Sequence, residues 1–376
     1  MRVLVVGDFL KSSGMTRYIF NIIGAINSEN IQIDVLSVSG SRECQKMVEQ
    51  KGWNFNVISP ANGSLFSHIF EAHTFFKKYA KRYDVVHFNE TALWNFLPIL
   101  FAHRFGSKHI VLNSHNTYFA SDGKLVVLKI LEALHGFGKW LVSKFIWKNI
   151  AVSEEAARWM FPRKVIQTHQ YEIISNGIKL EDFGYDERQR LLIRKQLGIN
   201  TNDVLFGSVG ILNKRKNQTK VIRVFNEFLK LNSGAYLVLI GDGPMKQNLI
   251  KLVQSLEIEN KVCFLGIKQN VTAYYQAMDA LLMPSLNEGL STVLIEAQTA
   301  GLSVFASSVI PLGNSLPELV HPLKLEDTDS IWAQYISNNL SISKRKSRVN
   351  EMRSQGFDLR DATRNVYKMY LEGGVE

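Results

Sequence analysis

Residues 283–301, with the sequence MPSLNEGLSTVLIEAQTAG, contain the end of an apolar strand, a short loop and a helix. The helix is predicted to begin near Ser291 and to stop at the final glycine. Free backbone N–H groups and the positive end of the helix dipole bind phosphate well, and Gly289 lets a ligand approach the backbone. Glu288 then precedes the helix and Glu296 lies at least a turn inside it. A diphosphate fits this site, although Ser291 could simply cap the helix and Glu296 could face solvent.

The pattern of a strand followed by a helix repeats along the whole chain. Short β-branched runs alternate with helical spacing, as at 220–231 and 245–256, which predicts βαβ units and parallel sheets in both halves. The expected fold class is therefore α/β, with doubly wound Rossmann-like sheets. The predicted strands are 2–7, 32–38, 55–59, 84–88, 109–113, 149–152 and 172–175, and then 204–209, 236–240, 262–265, 280–283 and 303–306.

The length of 376 residues predicts two domains, because a single hydrophobic core stops growing below this size. Asn176-Gly177 marks a turn, and a charged, core-poor linker follows as far as 195. The chain is polar and charged after 329, and then Asp358 can cap a final helix. We predict a first domain of residues 1–178 completed by the helix at 357–372, and a second domain of residues 179–356.

In open parallel sheets, ligands bind outside the carboxyl ends of the strands. The segments just after the predicted strands are the candidates for chemistry, and they are 8–16, 89–90, 114–116, 210–217, 241–244, 266–267 and 285–291. In the segment 210–217, Lys214, Arg215 and Lys216 precede Asn217 at the start of a helix, where cations oppose the helix dipole. Such cations can neutralise a phosphate, which favours a functional explanation over a basic surface.

Composition limits the class of protein. Apolar residues make up 46% and charged residues 21%, which is typical of a folded soluble chain. Cys44 and Cys263 are too far apart for a disulfide framework or a thiolate metal site, which fits a reduced compartment. Asp8 interrupts the apolar start, so no signal peptide is expected. These features predict a cytoplasmic protein.

The net charge of +10 is concentrated in the first half, where 20 Lys and Arg oppose 13 Asp and Glu up to residue 175. This excess would attract anionic lipid headgroups or a phosphate-bearing substrate, or it could only solubilise the surface. Residues 125–147 have the pattern of an amphipathic helix pair, which could rest on the inner face of a membrane or be buried against the first sheet. Nucleic acid is not expected, because no recognition-helix, RNP-like or basic-region pattern accompanies the charge.

The second half resembles retaining glycosyltransferase family 4, whose GT-B fold has two Rossmann-like domains facing across a cleft. The run from Glu288 to Leu302 is similar to the bacterial capsular and exopolysaccharide branch. The residues that carry the resemblance are Glu288 and Glu296 in a Glu-x7-Glu pattern, Lys216-Asn217, Gly241-Asp-Gly243-Pro244 and Phe264-Leu-Gly266, with Ser12-Ser-Gly14-Met-Thr-Arg17, Asn113-Ser-His115-Asn116 and Ile174-Ser-Asn176-Gly177-Ile178 in the first half.

The resemblance implies a role for each matching residue. Lys216 would contact the donor diphosphate, Glu288 the transferred sugar and Glu296 the ribose, while His115 would lie near the acceptor or the sugar. The other donor-binding residues that it implies are Gly14, Asn217, Gly241, Gly266, Ile267, Gly289, Leu290 and Ser291. Two positions depart from the family. Ile211 stands where an arginine is usual, so that Arg215 or Lys214 could substitute, and Ser13-Gly14 replaces a pair of glycines.

The implied activity is retaining transfer of a hexosyl-type sugar from a nucleoside-diphosphate sugar to a hydroxyl of a glycan or lipid-linked saccharide. It needs no metal and no cofactor beyond the donor, and it belongs to surface polysaccharide synthesis. A nucleotide-sugar epimerase or hydrolase of the same fold and a non-catalytic sugar-binding protein are the alternatives. A nicotinamide dehydrogenase is excluded, because Gly241-Asp-Gly243 continues to Lys246 where that fingerprint needs a small residue.

Overall fold

The computed structural model describes residues 1–11, 13–26, 29–119, 125–341 and 345–374. Ser12, which belongs to one of the first-half sequence patterns, lies outside the described residues. The chain divides into two compact units. Unit 1 comprises Met1–Gly177 and Leu359–Glu376, and unit 2 comprises Ile178–Asp358. The corresponding boundaries expected from the sequence lie at 178 and 356.

Unit 1 contains a seven-stranded sheet in the order β3-β2-β1-β4-β5-β6-β7. All of its neighbouring strands are parallel. The strands are β1 (Arg2–Gly7), β2 (Gln32–Ser37), β3 (Asn54–Val57), β4 (Val85–Glu90), β5 (His109–Ser114), β6 (Lys148–Ala151) and β7 (Glu172–Ile173). Every predicted strand of the first half is present, and the order reverses between β1 and β4, as in a doubly wound sheet.

The helices of unit 1 are α1 (Gly14–Ile22), α2 (Gln45–Gln50), α3 (Leu65–Tyr79), α4 (Leu97–Arg104), α5 (Leu125–Val142), α6 (Glu154–Met160) and α7 (Arg163–Gln167), together with the last helix of the chain. The helix pair expected over 125–147 is a single helix, α5, which ends at Val142. Gly138 lies on its inner face, where an added Cβ would be 2.2 Å from the carbonyl oxygen of Leu93. The helix therefore packs closely against the neighbouring segment Leu93–Asn95.

Unit 2 contains a six-stranded parallel sheet in the order β10-β9-β8-β11-β12-β13. Its strands are β8 (Val204–Val209), β9 (Ala235–Ile240), β10 (Val262–Gly266), β11 (Ala280–Met283), β12 (Ser303–Ser307) and β13 (Val320–Leu323). Five of these strands were predicted, and β13 was missed. Pro322 interrupts its apolar pattern and cannot donate to a ladder, but β13 is an edge strand, where proline is tolerated.

The helices of unit 2 are α8 (Leu180–Phe183), α9 (Glu187–Gln196), α10 (Gln218–Leu229), α11 (Lys246–Ser255), α12 (Thr272–Ala277), α13 (Thr292–Thr299), α14 (Asp329–Asn339) and α15 (Val349–Ser354). The sheet is buried on both faces. Phe206, Leu237 and Leu282 belong to the apolar cluster on one face, and Leu205 and Leu281 belong to the cluster on the other. This alternation explains the continuous apolar strands of the sequence.

The prediction of a linker after residue 177 is wrong, because α8 and α9 occupy most of this segment. The charged run looked like a solvated segment, but two of its arginines point inward. Arg190 and Arg194 pair with Asp279 at 2.5 and 3.1 Å, and the side chain of Arg194 is buried. Both also donate to carbonyl oxygens at the end of α12. These bonds attach α9 to the start of β11.

The last helix, α16 (Leu359–Gly373), was predicted, and it packs on unit 1. Its Tyr370 hydroxyl lies 2.7 Å from Nδ1 of His87 in β4, and Thr363 donates to the carbonyl oxygen of Ile22. The weak apolar stripe of this helix carries Val366 and Met369, which are buried. The chain therefore returns to its first sheet.

Candidate functional site

The turn between β8 and α10 is built around two residues with positive φ. Gly210 has φ +142°, and an added Cβ would lie 3.1 Å from Cε of Lys216. Asn217 has φ +55° and directly precedes α10. Its Nδ2 donates to the carbonyl oxygen of Pro284 at 3.1 Å. Because β8 and β11 are neighbours in the sheet, this bond joins the turn to the loop that follows β11.

Glu288 lies in that loop and is held by the two cations of the turn. Its Oε1 lies 2.7 Å from Nζ of Lys216, and its Oε2 lies 2.6 Å from a guanidinium nitrogen of Arg215. Arg215 also donates to the carbonyl oxygen of Asn287 at 3.2 Å. The backbone N–H of Leu286 donates to the carbonyl oxygen of Arg215 at 2.8 Å. The two loops therefore form one charged cluster with a net charge of one positive unit.

The carboxyl group of Glu288 is ionised in this environment. The residue is only 6% exposed, and burial by itself would raise its pKa. The charges of Lys216 and Arg215 and their hydrogen bonds outweigh that effect, so that the pKa of Glu288 lies below its usual value. One ionised carboxylate is therefore shared between the two cations.

The start of α13 lies directly beyond this cluster. Ser291 precedes the helix with extended backbone, and its side chain makes no capping hydrogen bond. The capping explanation for Ser291 is therefore wrong. The N–H groups of a helix's first turn have no acceptor inside the helix. Ser291 and Leu290 are buried, whereas Gly289 is half-buried. The positive end of the helix dipole therefore lies within a few residues of Glu288 and of the two cations that hold it.

Glu296 is not the solvated side chain that one interpretation expected. It is half-buried on α13, and its Oε2 accepts a hydrogen bond from the hydroxyl of Tyr275 at 2.7 Å. Tyr275, on α12, is fully buried. The hydrogen bond from the tyrosine holds one carboxylate oxygen of Glu296, and it thereby sets the orientation of the whole carboxylate. A ligand hydroxyl pair could be recognised by such a held carboxylate.

The glycines of this sheet edge fall into two kinds. Gly241 has φ +136°, and an added Cβ would lie 1.9 Å from the carbonyl oxygen of Gly210. Gly266 has φ +68°, but no other atom lies within 4 Å of its Cβ position. Ile267, which follows it, is 80% exposed. Gly241 is therefore required by the packing of adjacent strand ends, while Gly266 and Ile267 present an open surface.

In unit 1 the loop after β1 is organised by Asp8. Its two carboxylate oxygens accept from Ser13 Oγ at 2.8 Å and from Thr16 Oγ1 at 2.9 Å. Ser13 also caps α1, accepting from the N–H of Thr16. Gly14 is the first residue of α1, and no other atom of the described residues lies within 4 Å of its Cβ position. The open side of Gly14 is where a ligand could approach the helix start.

His115 lies at the end of β5 and is neutral. Its Nε2 lies 2.9 Å from Oδ1 of Asn89, at the end of β4, and its ring meets that of Tyr18 at 4.6 Å. Burial, with a smaller contribution from His87, lowers the pKa of His115 to about 3. An imidazole with this pKa accepts a proton poorly at neutral pH, so the low pKa favours a positioning role for His115 over that of a general base.

Glu90 is a further candidate for a functional residue. The sequence indicated it only as one of the residues that follow predicted strands. It ends β4, and the backbone N–H of His115 donates to its carbonyl oxygen at 3.0 Å. Burial, followed by the charge of Asp8, raises the pKa of the Glu90 carboxyl to about 8. The pKa of Asp8 is raised too, mainly by burial. The available signal in the sequence was a carboxylate at the end of a strand that is buried along most of its length.

Comparison with known proteins decides the family. The family model described as "Glycosyltransferase Family 4" matches residues 12–182, and the model described as "Glycosyl transferases group 1" matches residues 189–317. Together these matches extend over most of the chain, across both units. This chain belongs to glycosyltransferase family 4. The resemblance found in the sequence is thereby confirmed.

One relative of this family 4 chain is EpsF of Bacillus subtilis (strain 168), which is named as a glycosyltransferase. The two sequences are 27% identical over 59% of this chain and 59% of EpsF. A second is an Escherichia coli protein named UDP-Gal:alpha-D-GlcNAc-diphosphoundecaprenol alpha-1,3-galactosyltransferase, 24% identical over 61% of this chain and 59% of its own. The matches thus span about six tenths of the length of these relatives.

The solved structure of Anabaena Alr3699/HepE in complex with UDP has a TM-score of 0.75 with this chain. It is 17% identical and covers 99% of this chain and 100% of that one. This likeness shows the fold, which is GT-B with two Rossmann-like domains, and it confirms the predicted fold class.

Within each unit of this family 4 protein, some of the predicted residues are in contact with one another. In unit 2, Lys216 and Arg215 both contact Glu288, and Asn217 donates to the carbonyl oxygen of Pro284 in the same loop. Lys214 is exposed, as is Ile211, at 38%. In unit 1, Tyr18 of α1 touches His115, so the helix that begins at Gly14 reaches the end of β5. The donor and acceptor roles of these residues stay predictions.

Proposed function

We propose that this protein transfers a hexosyl-type sugar from a nucleoside-diphosphate sugar to a hydroxyl of a glycan or lipid-linked saccharide, with retention of configuration and without a metal ion. The observation that carries the proposal is the cluster of Glu288 with Lys216 and Arg215 beside the start of α13. In this proposal unit 2 binds the donor and unit 1 binds the acceptor.

The charges of the cluster suit a diphosphate leaving group. Two cations and one carboxylate leave one positive unit, and the first-turn N–H groups of α13 add the positive end of a helix dipole. A donor diphosphate brings two negative charges to this point. Lys216 is 12% exposed at its side chain, so its interaction with phosphate would be screened less than at the surface. Lys216 and Arg215 then stabilise the leaving phosphate.

The proposed step forms one bond to the anomeric carbon, breaks another and transfers one proton. The acceptor hydroxyl oxygen attacks the anomeric carbon while the bond from that carbon to the β-phosphate oxygen breaks. The proton of the hydroxyl goes to the departing phosphate, so no protein base is needed. Positive charge develops on the sugar ring, and the carboxylate of Glu288, which is ionised, would stabilise it.

The names of similar proteins guide the choice of substrates. The Anabaena structures were solved with UDP and with UDP-glucose, which makes a uridine diphosphate sugar the first donor to test. The name of the E. coli relative gives a diphosphoundecaprenol-linked sugar as its acceptor. We extend this chemistry to the present chain and place its reaction in the synthesis of a surface polysaccharide.

The test begins with the binding of nucleoside diphosphates. UDP, GDP and ADP are compared by thermal shift, because a ligand that binds the native state raises its stability. The nucleotide that binds is then supplied as sugar donors with a lipid-linked saccharide. Lys216→Ala and Glu288→Gln should each lower transfer at least about 100-fold. Lys230→Ala, at the far end of α10, is the matched control and should transfer normally.

The same experiment separates this proposal from its alternatives. Near-normal transfer by either purified site variant would refute the mechanism. Release of nucleoside diphosphate that does not depend on an acceptor would indicate a hydrolase, and interconversion of the donor sugar would indicate an epimerase. Binding without turnover of any donor would leave only a sugar-binding protein. Arg215→Ala should weaken nucleotide binding more than Lys214→Ala, because Arg215 belongs to the cluster around Glu288 and Lys214 is exposed.

A further inference from the structure

Helix α5 of unit 1 exposes apolar side chains along its whole length. Trp140 is 56% exposed, and the exposed fractions of the others range from 39% at Leu134 to 70% at Leu125. These side chains, which we call the α5 face, are Leu125, Val126, Val127, Ile130, Leu134, Phe137 and Trp140. Only His135, Gly138 and Val142 of this helix are buried. The sequence left open whether α5 is buried against the sheet, and the structure shows that this face is not.

A second helix adds to this surface. Phe66 of α3 is 90% exposed and Phe70, one turn later, is 71% exposed. Both helices touch the same short segment, Leu93–Asn95. Nδ2 of Asn95 lies 2.9 Å from Nε2 of His68 in α3, and the N–H of Leu93 donates to His135 of α5 at 2.8 Å. Phe66 and Phe70 therefore lie on a helix that contacts the same segment of unit 1 as α5 does.

The charges around the α5 face are mainly positive. Residues 125–147 contain Lys129, Lys139 and Lys144 and one acid, Glu132. Nζ of Lys139 donates to the carbonyl oxygen of Trp159, so the cations of the α5 face are Lys129 and Lys144. Lys129 is exposed, and Nζ of Lys144 lies 3.4 Å from the centre of the Trp140 ring. A tryptophan beside a lysine at the edge of an apolar stripe is typical of helices that lie at a bilayer surface. The cations complement anionic headgroups.

We infer that the α5 face, with Phe66 and Phe70 of α3, inserts into the headgroup region of an anionic lipid bilayer. From Val126 to Trp140 the stripe is about 21 Å long at 1.5 Å per residue, which suits a helix lying in the plane of the interface. Within the described residues, no helix has the length and apolar character to cross a membrane. The protein thus binds the membrane surface peripherally.

This inference deepens the proposed function, because it names the surface from which a lipid-linked acceptor would be reached. Its test needs no sugar transfer. The full chain is floated with vesicles of phosphatidylcholine that contain phosphatidylglycerol, and with vesicles of phosphatidylcholine alone. Wild type should float with the anionic vesicles, and moderate salt should reduce the bound fraction. Failure to float with anionic vesicles at low salt would overturn the inference.

Variants assign the binding to these residues. Ile130→Ser/Phe137→Ser/Trp140→Ser should lower the vesicle-bound fraction about tenfold or more, and Phe66→Ser/Phe70→Ser should lower it too, because each removes apolar surface from the interface. Lys129→Glu should weaken binding to anionic vesicles only. Leu191→Ser/Leu192→Ser is the matched control, since these leucines are similarly exposed on α9 of unit 2. The control should bind as wild type does.

Two further outcomes overturn the inference. If the triple variant binds vesicles like wild type, the α5 face is not the membrane surface. If wild type is a dimer by light scattering and the triple variant is a monomer with unchanged vesicle binding, the face belongs to an interface between two copies. An unchanged thermal shift with UDP in the variants shows that unit 2 still binds nucleotide. Loss of flotation is thereby kept apart from loss of the proposed activity.

Discussion

Replacing Glu288 by glutamine should strengthen nucleotide binding while it abolishes sugar transfer. In the structure, the two oxygens of Glu288 occupy Lys216 at 2.7 Å and Arg215 at 2.6 Å. A diphosphate must compete with this carboxylate for the same two cations. Glutamine keeps the size of the side chain but removes its charge, so the cations become available to phosphate without any loss of packing.

The size of the effect follows from the geometry of Lys216. A phosphate oxygen bound to the same ammonium group at about 2.8 Å would lie at most about 5.5 Å from Oε1 of Glu288. Two negative charges at that separation repel by about 1.5 kcal/mol at an effective dielectric constant of about 40, and by about 3 kcal/mol at about 20. The Kd for UDP should therefore fall about tenfold or more in E288Q.

The assay is titration calorimetry of UDP into wild type and E288Q, followed by transfer kinetics at saturating donor. We expect tighter UDP binding together with a loss of kcat of about 100-fold or more, because the carboxylate is needed where positive charge develops on the sugar. Glu259→Gln, an exposed acid of the same unit, is the control for a general change in charge. Weaker binding of UDP to E288Q than to wild type would refute the competition between carboxylate and phosphate.

Two other predictions concern the strand ends. Gly241→Ala should destabilise unit 2 by about 3 kcal/mol or more, since its Cβ would lie 1.9 Å from the Gly210 carbonyl oxygen. Gly266→Ala should cost only about 1–2 kcal/mol, because its positive φ is the only strain. Equal melting temperatures of the two variants would contradict this prediction. The pKa of about 8 for Glu90 lies above its unfolded value, so its contribution to stability is lost as pH rises through the folded pKa. Between pH 6.5 and 8 the free energy of unfolding of wild type should fall by roughly 2 kcal/mol relative to that of E90Q, as measured by urea denaturation, and parallel pH profiles would disprove it.

The strands could be predicted from sequence because their pattern is simple. Strands buried on both faces are continuous apolar runs, and β8 and β11 begin and end where that pattern does. The elements that were missed depend on tertiary contacts. The sequence of α9 was interpreted as a linker, because a charged sequence does not show which of its side chains are buried. Only the position of Asp279 shows that Arg190 and Arg194 face inward.

The site could be predicted in part. Lys216 and Glu288 each follow a strand, which places both at the carboxyl edge of a sheet, but their contact requires β8 and β11 to be neighbours. The sequence does not state the strand order. The bond from Tyr275 to Glu296 was not foreseen for a similar reason, since the two residues lie on different helices. Residue type and spacing located the candidates, and packing decided their partners.

We propose that Arg215 takes the place of the arginine that the family usually has where this chain has Ile211. Ile211 is 38% exposed and carries no charge to the cluster. Arg215 is fixed at both ends, since its carbonyl oxygen accepts from Leu286 and its guanidinium binds Glu288 and the carbonyl oxygen of Asn287. A cation anchored in this way keeps its position relative to the start of α13, whatever precedes it in the turn. The cluster therefore has a second cation beside Lys216, which a residue-by-residue comparison at position 211 alone would overlook.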